Sequence, residues 1–120
     1  MEPAHLIRTS TWLLAAAAAF GLVMAVIRFA RDAGPPALLS KVHGILTCSA
    51  IAILSYGWAT VGLPHLASVA LVLLLITASA GLATSQAWRW MQPSNIQLLL
   101  FGHLSMAAAG FFLLLASSPP

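Results

Sequence analysis

Apolar residues along this chain gather into four long runs, over about residues 9–29, 37–58, 65–88 and 96–116. None alternates with the period of two that a strand would show. Each has about 20 residues or more, enough for a helix to cross a hydrocarbon core of ~30 Å. The breaks between them carry helix-ending chemistry: Gly34-Pro35-Pro36, the uncharged stretch from Gly57 to Pro64, and Gln92-Pro93-Ser94-Asn95, a turn with a capping residue. Tyr56 and Trp58 end the second run, and Trp88, Arg89 and Trp90 end the third, as aromatic anchors at a membrane interface do. The first run reads as a retained helix and not a signal peptide. Trp12-Leu13-Leu14 is too short a hydrophobic region, and Arg28 and Arg31 close the run as a stop-transfer signal.

These runs predict an all-α transmembrane four-helix bundle, one domain over residues 1–120. In lipid a helix satisfies its own backbone hydrogen bonds, and short connections favour antiparallel neighbours. Composition strengthens the case. The chain is 61% hydrophobic and 6% charged, where a soluble domain carries about 25% charged residues. A net charge of +3 rests on only five basic residues, which sit at run ends and not in a stripe. They read as topology determinants, and a nucleic-acid partner is not expected. Arg28, Arg31, Lys41 and Arg89 fall in the first and third connections, with only Arg8 on the other side. By the positive-inside rule both termini lie on the non-cytoplasmic side, in a bacterial inner membrane. The single cysteine, Cys48, reads as a small core residue, and no CxxCH motif is present for covalent haem attachment.

The second half of the chain echoes the first. Residues 1–60 laid over 61–120 without a gap give eleven identities, among them His5 with His65, Gly21 with Gly81 and His43 with His103, and small Ala50 falls on Gly110. All four histidines pair in this way. Each half contains two spans, so both enter the membrane in the same sense, as parallel repeats do.

A histidine in hydrocarbon needs a partner. A Ser, Thr or backbone carbonyl on a neighbouring helix would serve either one alone; a pair at equal depth makes a shared ligand competitive. Haem b is the cofactor that suits two imidazoles in an apolar bundle. Helical spacing puts Thr47 and Ala50 on the face of His43, and Ala107 and Gly110 on the face of His103, small residues that leave room for a flat ring. Gly21 and Gly81 fall at a similar depth on the first and third helices, where glycine permits close approach to a ring edge or simply close helix packing. Basic residues at the cytoplasmic end suit haem propionates and lipid phosphates equally. His5 and His65 sit at the opposite interface and are expected to be solvated or capping. Copper is the other metal considered, with His103 and Met106 three apart and Met24, Met91 and Cys48 as soft donors. Catalysis has little to draw on, since Glu2 and Asp32 are the only carboxylates and both lie near the surface.

The pattern of His43-Gly44 and His103-Leu104 followed by small residues and a leucine run resembles small four-helix bacterial membrane proteins with paired transmembrane histidines. In layout it is similar to the b-type cytochromes of the cytochrome b561 class. That resemblance implies haem held between transmembrane histidines, with electrons passing to or from quinone or a redox partner protein. The alternative expectation is a small non-catalytic subunit of a larger membrane complex, motivated by the small-residue faces such as Ala15 to Ala19.

Overall fold

A computed structural model of the chain describes residues 1–31, 34–87 and 90–119. The protein is all-α, with α1 (Pro3–Arg31), α2 (Ala37–Thr60), α3 (His65–Ala87) and α4 (Pro93–Ser117), and no strand among the described residues. At 1.5 Å per residue these helices are roughly 34–44 Å long, more than the ~30 Å hydrocarbon core requires. All four are long and apolar enough to cross a membrane. The chain divides into two compact units, Met1–Val61 and Gly62–Pro120. Each is a helical hairpin, α1 packed on α2 in the first and α3 on α4 in the second.

The helix ends follow the proline chemistry more closely than the apolar runs do. α1 begins at Pro3, six residues before the first apolar run, and the Glu2 carbonyl accepts from the amides of His5 and Leu6. Proline suits the first turn because the missing N–H has no partner there. The buried Leu6 and Ile7 hold that extra length against the hairpin. α4 likewise begins at Pro93, and its N-cap, Gln92, makes no side-chain capping bond. The capping residue expected in this turn is therefore replaced by backbone contacts, with the Asn95 and Ile96 amides donating to the Gln92 carbonyl. The expected anchor residues Trp88 and Arg89 lie outside the described residues, as does Asp32; Trp90 is exposed. Gly62, between the hairpins, has φ 77°, a left-handed conformation natural to glycine.

The side chains are distributed as lipid demands. Large apolar residues such as Trp12, Leu22, Val26, Leu38, Ile45 and Phe112 are exposed, while Ala17, Ala50, Ala67 and Ala70 are buried. Small residues let backbones approach where water supplies no driving force. Cys48 belongs to the outer set: it is exposed and not the core residue expected from the sequence. Its five-residue offset from His43 turns it to another face of α2.

The burial pattern repeats with the sequence. Ile7 and Ala67, Ser10 and Ala70, Leu14 and Leu74, Ala17 and Thr77, Ala50 and Gly110, and Leu54 and Leu114 are all buried, each pair sixty residues apart. Within each hairpin the two helices also meet at matching places. In the first, Ser10 Oγ donates to the Ala50 carbonyl at 3.3 Å. In the second, a Cβ on Gly110 would lie 3.1 Å from Leu74 and 3.6 Å from the Ala70 carbonyl oxygen.

Candidate functional site: one imidazole in each hairpin

His43 sits in the seventh position of α2, half-buried, and its ring crosses to α1. Nδ1 is 2.8 Å from the carbonyl oxygen of Ala17. A carbonyl only accepts, so Nδ1 carries a proton and donates it to Ala17. In an α-helix the Ala17 carbonyl is also the acceptor for the amide of Gly21, one turn on. The ring reaches that carbonyl because residue 21 has no side chain. A Cβ at Gly21 would stand 3.1 Å from His43 Cε1 and 3.3 Å from Nδ1.

The second hairpin repeats each part of this arrangement. His103 is half-buried, and its Nδ1 lies 2.9 Å from the Thr77 carbonyl oxygen, again 26 residues earlier in the chain. A Cβ on Gly81 would be 2.8 Å from His103 Cε1 and 3.1 Å from Nδ1. The motif is thus a carbonyl, a glycine four residues on and a histidine 26 residues on, and it occurs in both halves. Gly21 and Gly81 are at the level of their histidines, as the sequence leads one to expect, but the group each accommodates is the imidazole itself. The carbonyl partners, Ala17 and Thr77, are what sequence reasoning missed. Only the glycine four residues later marks them.

The small residues near the histidines separate into two kinds. Thr47 and Ala107 are half-buried. Ala50 and Gly110 are buried in the seams of their own hairpins, where their size serves helix approach. Of the copper candidates, Met91, His103 and Met106 line one apolar groove of about 340 Å³ with Leu98, Leu99 and Gly102 in the second hairpin. Met24 Sδ accepts from Ser40 Oγ in the first hairpin. No group of three His, Cys, Asp or Glu side chains gathers among the described residues, so any metal here would rest on imidazole pairs or thioethers. His5 and His65 are exposed at helix starts, and Arg8 donates to His5 Nδ1 at 2.8 Å.

Chemically, each motif fixes an imidazole at three points: a tautomer, a ring plane against a glycine, and a helix. Histidines that ligate metals characteristically donate their second nitrogen to a carbonyl or carboxylate, which orients the ring and raises its basicity. Comparison with known proteins finds no family model, no characterised protein and no solved structure that matches this chain.

Proposed function

We propose that this is an integral membrane b-type haem protein that carries electrons, with His43 and His103 as the residues that would hold the haem. The observation that supports it most is the duplicated tautomer lock. Both rings give Nδ1–H to a backbone carbonyl, so Nε2 is the nitrogen through which each would hold the iron. Haem supplies one-electron iron chemistry when bound. The chain's part is to hold two basic nitrogens, exclude water with its apolar surroundings and so set the potential. Thr47 and Ala107 are the small neighbours that would border the ring. The electron partner is quinone or a redox protein, and the membrane a bacterial inner membrane.

The test is an absorption spectrum of the detergent-purified protein, oxidised and then dithionite-reduced, with pyridine haemochrome quantitation. Sharp reduced bands are expected in the wild type and should vanish in both His43→Ala and His103→Ala. Stoichiometric haem surviving both substitutions would move the ligands elsewhere, and no haem after expression with ample supply would sink the assignment.

One observation favours a second reading, a non-catalytic subunit of a larger membrane complex. The Nδ1–carbonyl bonds already satisfy one nitrogen of each ring and tie α2 to α1 and α4 to α3, which a purely structural histidine would also do. Such a protein purifies colourless and brings its partner with it.

A further inference from the structure

We infer that the α3–α4 groove beside His103 accommodates the haem ring, with Gly102 as the residue that leaves it room; this step rests on the haem assignment above. The groove holds about 340 Å³, and His103, Gly102, Leu98, Leu99, Met91 and Met106 line it. All belong to the second hairpin. This lining suits a flat aromatic molecule. Leu98 and Leu99 make it apolar, and two of the chain's four methionines meet in it. Thioether sulfurs pack favourably against aromatic rings. The imidazole on the same wall gives Nδ1–H to the Thr77 carbonyl, as a histidine that holds a metal through Nε2 does.

Gly102 carries the inference. It lies within α4, where glycine is a poorer choice than alanine for helix stability. Packing gives no reason for it, because a Cβ there would meet nothing within 4 Å and the residue is exposed. Gly21, Gly81 and Gly110 differ, since each has a neighbour that a methyl would press. What glycine provides at 102 is bare backbone on the groove wall, next to the histidine. Close approach of a ligand to the backbone is a use that only glycine serves. The first half has Val42 at the matching position, so the bare wall belongs to the second hairpin. A lipid tail needs no such wall, because a flexible chain bends around a valine as readily as around a glycine.

The experiment titrates haem and metal-free protoporphyrin IX into the full-length protein in detergent, for wild type, Gly102→Ala, Gly102→Val and His103→Ala. Unfolding of each apoprotein is followed alongside. Gly102→Val should leave the apoprotein as stable as wild type and weaken both ligands about tenfold or more, as crowding a fitted ring does. Gly102→Ala should fall between. His103→Ala should weaken haem and spare the metal-free ring, which has no iron for an imidazole. Unchanged binding of both ligands by Gly102→Val would overturn the inference. So would a loss confined to haem, because the effect would then lie in the bond to iron. If valine destabilises the apoprotein, the alanine variant decides, and wild-type affinities in it overturn the inference. A wild type that binds no haem removes the haem assignment and this inference with it. Haem that needs His103 but ignores residue 102 removes this inference alone.

Discussion

Two glycines decide where the imidazoles lie, and their clearances differ. A methyl at Gly81 would stand 2.8 Å from His103 Cε1, closer than real Cβ atoms come, while one at Gly21 would stand 3.1 Å from His43 Cε1. Both rings are tethered to a carbonyl and cannot simply swing away. Gly81→Ala should therefore destabilise by about 2–3 kcal/mol and Gly21→Ala by about 1 kcal/mol, within the range for overpacking. Gly44→Ala and Gly102→Ala meet open space and should be neutral, or gain up to ~1 kcal/mol from helix propensity. Gly110→Ala makes a further comparison. It brings a methyl against Leu74, but the first hairpin already buries Ala50 and Leu14 at the matching positions, so its cost should stay under ~1 kcal/mol. Unfolding titrations in mixed micelles give the ranking, and equal effects at all five glycines would refute the idea that two of them seat a ring.

At the scale of the helical element, the first hairpin has a polar stitch that the second lacks. Ser10 is fully buried and donates to the Ala50 carbonyl, while the second hairpin has Ala70 at that place. Ser10→Ala should cost roughly 0.6 kcal/mol, the average for interhelical hydrogen bonds in a membrane, and should not change which helices pair. A loss above ~2 kcal/mol would mean that the hydroxyl organises the hairpin. These elements also show how far the sequence could be read. Four spans were legible because apolar runs of this length have few alternatives in lipid, and α2 and α3 end within two residues of the apolar pattern. The starts of α1 and α4 were not, because Pro3 and Pro93 set them with backbone chemistry that hydropathy does not weigh. The link between Gly21 and His43 was visible only as similar depth. Whether a small residue borders a ligand or fills a seam depends on helix rotation, and spacing alone assigned Ala50 and Gly110 to the same group as Thr47 and Ala107.

For the whole molecule, orientation in the membrane is set by the basic residues. The basic residues of the first and third connections lead us to expect those connections in the cytoplasm. Cys48 is exposed on α2, so labelling work should begin from a Cys48→Ala background. A cysteine at position 34 should then be protected from a membrane-impermeant maleimide in intact cells, and one at position 118 should react. The reverse pattern would turn the protein over.

The carbonyl, glycine and histidine of each motif all fall within a single two-helix hairpin. A unit with an even number of crossings returns its chain to the side from which it came. It can be copied end to end, and the copy threads into the membrane in the same direction as the original. A unit of one or three crossings would be inverted by the same event and would present its imidazole at the mirrored depth. The hairpin is thus the smallest piece of this protein that tandem duplication can multiply while keeping the direction in which the chain threads.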